Sequence, residues 1–149
     1  MLKDVTYWLN RYHGSPVTNR AMIYNRNRKL GKETYHFMLS PDICTKYGAI
    51  AQTKLCFVIC YAKKNNYTFP HVIARMKINY EWSLTDDFVE QIVSQIQKIQ
   101  VGKHPMKRFR IHSSGDFYDE NYWQKWLKIV SEFPSIKFMA YTRNIHIAA

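Results

Sequence analysis

The chain has 149 residues, 46% of them hydrophobic and 15% aromatic, so it is long enough and apolar enough to bury one core. This composition excludes a disordered protein, and the absence of any run of 18 apolar residues excludes a membrane-spanning helix. The net charge of +11 favours a polyanionic partner, most simply nucleic acid, although general solubility explains it as well. Because the N-terminus lacks the apolar core of a signal peptide, we expect a cytoplasmic protein without membrane partners.

Residues 1–33 read as a polar, basic N-terminal segment ahead of a single domain over residues 34–149. An amphipathic helix is predicted near residues 4–12. Residues 18–32 interleave cations with Asn and Tyr, which suits phosphates and stacked bases, and a solvated loop explains them at least as well. The predicted nucleic-acid contacts combine cations of this segment with later ones: Arg20, Arg26, Arg28, Lys29, Lys63, Lys64, Lys107 and Arg108.

Strands and helices alternate along the rest of the chain. Hydrophobic periodicity predicts strands within residues 34–41, 107–117 and 135–143. It predicts helices over residues 69–82, 83–103 and 119–134. Ser83 with Asp86 resembles a capping box for the second helix, and Gly102 suits a left-handed stop. Alternation of this kind implies parallel strands joined by helical crossovers, so the fold class is α/β. About three β/α units make either a half β/α barrel or an open parallel sheet.

The three cysteines, Cys44, Cys56 and Cys60, lie on the long segment that follows the first strand. Parallel β/α folds bind ligands at the carboxyl ends of their strands, so a metal site is one interpretation. Three thiolates can hold a [4Fe–4S] cluster with one iron left open, whereas zinc would need a fourth ligand such as His71 or His112. Core packing is the alternative, because free cysteine is often buried.

A second motif, HSSGD at residues 112–116, follows the second strand at the same predicted edge. Gly115 permits a tight turn there. The carboxylate of Asp116 suits a ligand ammonium group, and the hydroxyls of Ser113 and Ser114 suit a ligand hydroxyl or carboxylate. Capping of the next helix by Asp116 or Asp119 explains the acidic residues equally well.

Three stretches together resemble the gene product 88 family of phages and mobile elements: CYA at 60–62, FRIHSSGDFYDENYWQKW at 109–126 and FMAYTR at 138–143. The resemblance implies a protein that acts in the host cell. Members of that family are similar to radical-SAM enzymes, so the resemblance implies a [4Fe–4S] cluster on the three cysteines. It also implies S-adenosylmethionine at the turn formed by Ser113, Ser114, Gly115 and Asp116. The chain ends soon after AYTR, which predicts a truncated member of the family.

Two hypotheses for function stay open at this point. One is an iron–sulfur protein of radical-SAM-like descent, whose cluster would cleave adenosylmethionine to start radical chemistry. The other is a non-enzymatic basic protein that binds nucleic acid or inhibits a host nucleoprotein complex of a defence system. A half-barrel would expose a sheet edge, so we also expect a homo-oligomer or a partner chain that completes the barrel. Arg143, in AYTR, suits either an anion or a nearby acidic side chain.

Overall fold

Three short strands of the protein form one parallel sheet. In this computed structural model, which describes residues 3–14, 22–24, 29–46, 56 and 58–148, the strands are β1 (Thr34–His36), β2 (Arg108–Arg110) and β3 (Lys137–Met139). The strand β2 is central, and both of its pairings are parallel. The predicted α/β class with parallel strands is therefore confirmed, while the half-barrel stays a prediction.

The described helices connect these strands in the predicted order. They are α1 (Val5–His13), α2 (Asp42–Lys46), α3 (Pro70–Ser83), α4 (Phe88–Gln100), α5 (Glu120–Glu132) and α6 (Ile145–Ala148). Two short 3-10 helices, Tyr61–Lys63 and Asn65–Thr68, precede α3. The helices α3 and α4 lead from β1 to β2, and α5 leads from β2 to β3. Among the residues described, no helix combines the length and the hydropathy needed to cross a membrane.

One face of the sheet builds the core together with α4 and α5. Tyr35, Phe109 and Phe138 are neighbours across the three strands on this face. Trp126 of α5 is fully buried, and its ring centroid lies 5.6 Å from that of Phe109 and 5.4 Å from that of Phe37. In α4, apolar residues at helical spacing predict a stripe of Phe88, Ile92, Val93, Ile96 and Ile99, and three of them, Phe88, Ile92 and Ile96, are fully buried.

The opposite face of the sheet is polar and partly open. Because side chains alternate along a strand, Arg108 and Arg110 of β2 share this face with Lys137 of β3. Next to β1, Tyr24 forms an antiparallel bridge with His36 and lies beside its ring. Arg108 and Lys137 are exposed and Arg110 is half-buried. This face therefore presents cations to solvent.

The described part of residues 1–33 packs on the rest of the chain. The helix α1 lies along α3, and His13 Nε2 is 2.6 Å from Glu81 Oε2. Met22 is fully buried in the core, where its N–H donates to the side chain of Gln95 at 2.8 Å. The basic N-terminal segment thus contributes an apolar side chain to the core that its charge pattern does not reveal.

Both predicted end signals of α4 are wrong. Ser83 belongs to the last turn of α3, where its hydroxyl donates to the carbonyl of Tyr80 at 2.6 Å. The helix α4 instead runs from Phe88 to Gln100, and Val101, which follows it, keeps a right-handed backbone. Gly102 is not among the glycines with positive φ. Two helices follow each other closely here, so residues that end the first resemble a start signal for the second.

Candidate functional site

The turn at residues 112–116 ties the ends of β1 and β2 together. The hydroxyl of Ser114 donates to the carbonyl of Leu39 at 2.8 Å, and that of Ser113 donates to the carbonyl of Phe37 at 3.4 Å. Alongside, the N–H of Leu39 donates to the carbonyl of Ser114 at 2.9 Å. Both serines are buried. Their side chains therefore extend the pairing of the two strands beyond the regular sheet.

Gly115 is placed where only glycine fits easily. Its φ is +86°, and a Cβ built on it would lie 2.6 Å from the Cβ of Leu39. A positive φ and a close approach both favour a residue without a side chain. The predicted tight turn is confirmed.

Asp116 links this turn to the segment after β3. The residue is 4% exposed, and its Oδ1 accepts the N–H of Phe117 at 2.8 Å. Its Oδ2 accepts the N–H of Arg143 at 2.9 Å. The cap of α5 is Asp119, whose carboxylate accepts the N–H of Tyr122 at 2.7 Å. Asp116 therefore joins two loops, and the alternative that Asp119 caps the helix is confirmed.

Replacing Asp116 with Ala is expected to lower the free energy of unfolding by about 2 kcal/mol, because two main-chain N–H groups at a buried position lose their acceptor. Asp116→Asn keeps one acceptor oxygen and should lose less. Urea unfolding followed by circular dichroism measures both changes. Asp86 is exposed, so Asp86→Ala serves as the matched control and should leave stability unchanged. Equal stability of Asp116→Ala and the parent would show that the two bonds are not needed.

The cysteines lie on segments near this same edge of the sheet. Cys44 lies in α2, shortly after β1, and Cys60 directly precedes the 3-10 helix Tyr61–Lys63. All three cysteines are half-buried. Burial, and then the nearby Asp116, Cys60 and Cys56, raise the pKa of Cys44 to about 12. Asp116, Cys56 and Cys60 are therefore near enough to influence the pKa of Cys44, and the Cys44 thiol is protonated near neutral pH.

Three thiols are a donor set that suits a soft metal centre. In the part of the chain that the structure describes, no three His, Cys, Asp or Glu side chains are close enough to one another to hold a metal ion. His71 stacks on Phe69 with centroids 5.9 Å apart, and His112 is buried with Nε2 3.0 Å from the hydroxyl of Tyr122. Neither histidine is thus placed as the fourth ligand of a zinc site.

Comparison with known proteins identifies the family. A family model described as Gene product 88 matches residues 16–149. The chain belongs to the gene product 88 family. Similar proteins include the Gene 88 protein of Mycobacterium phage D29 and that of Mycobacterium phage L5, each 31% identical over 97 residues, or 61% of this chain. The matches cover 40% and 41% of those relatives, so the chain spans about two fifths of their length. No solved structure matches the chain.

The cations predicted to contact nucleic acid lie at different ends of the sheet in this gene product 88 chain. Lys63 and Lys64 are exposed beside the cysteines, at the carboxyl edge. Lys107 and the adjacent Arg108 lie at the opposite edge, and Lys107 pairs with Glu33 at 2.8 Å. Lys29 is also exposed. The remaining predicted residues, Arg20, Arg26 and Arg28, lie outside the described part of the chain.

Sequence reasoning missed a group of side chains at the carboxyl edge of the gene product 88 sheet, named here the tyrosine–arginine cluster: Tyr61, Tyr67, Arg110 and Tyr141. The hydroxyls of Tyr61 and Tyr67 both donate to the carbonyl of Ser113. Arg110 donates to the hydroxyl of Tyr61 at 3.2 Å, and its Cζ lies 5.5 Å from the ring centroid of Tyr141. One signal in the sequence could have drawn attention to this cluster: Tyr61 directly follows Cys60.

Proposed function

We propose that this gene product 88 protein holds a [4Fe–4S] cluster on Cys44, Cys56 and Cys60. The observation that carries the proposal is the position of Cys44 near the carboxyl edge of a parallel sheet, where the charges of Cys56 and Cys60 influence its pKa. The three thiols do not form a ready metal site in the described structure, so cluster binding would have to draw them together. That edge is where parallel β/α folds bind ligands, and clusters of this kind are held by thiolates. Descent from a radical-SAM-like β/α barrel is part of the same proposal, supported by the parallel strand order.

The chain's own residues would prepare this centre in two ways. Cys44 must lose a proton to become a ligand, and because its pKa is about 12, metal binding has to be coupled to proton release. The bonds of Ser114 and Asp116 fix the loops that carry the edge. A cluster held by three cysteines would supply one-electron chemistry at an iron without a protein ligand.

The serine and aspartate side chains of the HSSGD turn are hydrogen-bonded to the main chain. Ser113 and Ser114 donate to carbonyls, and both oxygens of Asp116 accept main-chain N–H groups. These hydrogen bonds account for the burial of the three side chains without a ligand. The proposed function therefore stops at the cluster, and adenosylmethionine at these residues stays a prediction, as does inhibition of a host nucleoprotein complex.

The test is the iron and sulfide content of protein reconstituted without oxygen. We expect about four irons and four sulfides per chain, with a broad absorption band in the visible range. Replacing any one of the three cysteines with Ala should remove most of the iron. Val58 lies between Cys56 and Cys60 and is 69% exposed, so Val58→Ala is the matched control and should load normally.

Two results would contradict the proposal of a cluster. The first is a colourless protein that takes up no iron after reconstitution. The second is full iron content in a variant that lacks all three cysteines. One zinc per chain in place of iron would identify a different metal at the same thiols.

A further inference from the structure

We propose that the tyrosine–arginine cluster binds single-stranded nucleic acid, with bases stacked on Tyr141 and Tyr61 and a phosphate held by Arg110. The cluster contains no cysteine, so this inference does not rest on the proposed iron–sulfur centre. The cluster also differs from the set of cations predicted from the sequence, because it combines exposed tyrosine rings with a guanidinium that is held by hydrogen bonds.

The guanidinium of Arg110 is held in one orientation by two hydrogen bonds. Its Nε donates to the carbonyl of His112 at 2.9 Å, and its Nη2 donates to the hydroxyl of Tyr61 at 3.2 Å. These bonds use two of the five N–H donors of an arginine side chain. A guanidinium held in this way has lost part of its rotational freedom before a ligand arrives, which favours recognition of a phosphate.

Two aromatic rings of the cluster are accessible, and one of these two is also held in place. Tyr141 is 73% exposed and Tyr61 is 53% exposed. Tyr61 packs edge-on against Tyr67, with centroids 5.7 Å apart, and both hydroxyls are anchored on the carbonyl of Ser113. Exposed ring faces of this kind stack on the bases of single strands with little regard to sequence.

The surroundings of the cluster favour a polyanion. Lys63 and Lys64 follow Tyr61 closely, and the open sheet face that carries Arg110 also carries Arg108 and Lys137. Asp116, an acidic residue at this edge, is 4% exposed, with both oxygens on main-chain N–H groups. A duplex hides the faces of its bases, so stacking on Tyr61 and Tyr141 selects an unpaired strand.

The test measures fluorescence anisotropy of a labelled single-stranded oligonucleotide of about twelve nucleotides, as DNA and as RNA, against the duplex of the same sequence. We expect the single strand to bind more tightly than the duplex and binding to weaken as salt rises. Tyr141→Leu should weaken single-strand binding about tenfold, whereas Tyr141→Phe should stay within about twofold of the parent. Arg110→Lys keeps the charge but loses the planar fork, and should also weaken binding.

A matched control separates the cluster from general charge. Lys128 is exposed on α5, the helix that covers the other face of the sheet, so Lys128→Ala should change the affinity less than Arg110→Lys does. Because Tyr141 is largely exposed, Tyr141→Leu should unfold at the temperature of the parent. The proposal is overturned by absent single-strand binding, by a duplex that binds equally well, or by unchanged affinity in Tyr141→Leu. If AMP bound as tightly as the oligonucleotide, the cluster would be a site for a single nucleotide and the proposal of a bound strand would be overturned.

Discussion

Gly115→Ala is expected to lower the free energy of unfolding by about 4 kcal/mol. The φ of +86° costs a residue with a Cβ about 1–2 kcal/mol. The new methyl group would also lie 2.6 Å from the Cβ of Leu39 and 3.2 Å from its Cα, and overpacking of this kind costs about 1–3 kcal/mol. Urea unfolding measures the loss, and the strands β1 and β2 should separate at lower denaturant.

Gly31 provides the matched control for this substitution. Its φ is +83°, nearly that of Gly115, but a Cβ there would meet no heavy atom of the described residues within 4 Å. Gly31→Ala should therefore lower the free energy of unfolding only through the positive φ, by about 1 kcal/mol. If both variants lose the same stability, the contact with Leu39 is not what makes Gly115 necessary.

Acidification from about pH 6.5 to pH 4.5 is expected to remove about 4 kcal/mol of stability through two buried histidines. Burial, and then the positive charge of Arg110, lower the pKa of His112 to about 3 and that of His36 to about 4. Below pH 6.5 the unfolded chain binds protons that these two imidazoles do not bind in the fold. The contribution of each histidine to the free energy of unfolding is thus fully present above pH 6.5. As the pH is lowered below 6.5, it decreases by up to about 1.4 kcal/mol per pH unit for each histidine.

Urea unfolding at several pH values between 7 and 4.5 measures this slope. His112→Phe removes one of the two titrating groups, so it should reduce the slope by about half, whatever its effect on stability at pH 7. His146 is exposed, and His146→Gln should leave the slope unchanged. A slope that is the same in His112→Phe and in the parent would show that His112 takes up its proton without unfolding.

Periodicity predicted the helices better than it predicted which side chains they bury. For α5, apolar residues at helical spacing indicate a buried stripe of Trp123, Trp126, Leu127 and Val130. In the structure Leu127 is 42% exposed, while Tyr122 and Ile129 are buried. The helix turns toward Phe37 and Phe109, whose rings hold Trp126. That orientation depends on partners distant in the chain, so local hydropathy does not contain it.

At the candidate site, too, the sequence predicted where the residues lie better than it predicted what their side chains contact. The rule that parallel strands bind ligands at their carboxyl ends placed the cysteines and the HSSGD turn at one edge. The roles of Ser113 and Ser114 were not predictable, because their hydroxyls bind carbonyls 76 and 75 residues away. Alternation along β2 puts Arg110 on the open face, but only the folded chain brings Tyr61 and Tyr141 to it.

The bond between Asp116 and Arg143 has a consequence for how the protein is made. The carboxylate of Asp116 accepts the N–H of Arg143, which the ribosome adds to the chain 27 residues later. Until the segment that follows β3 has left the ribosome, Oδ2 of Asp116 lacks the N–H of Arg143, and that segment is not yet tied to the turn at residues 112–116. The tie between this turn and the segment after β3 can therefore form only late in translation, whereas the bonds of Ser113 and Ser114 join residues that are made earlier.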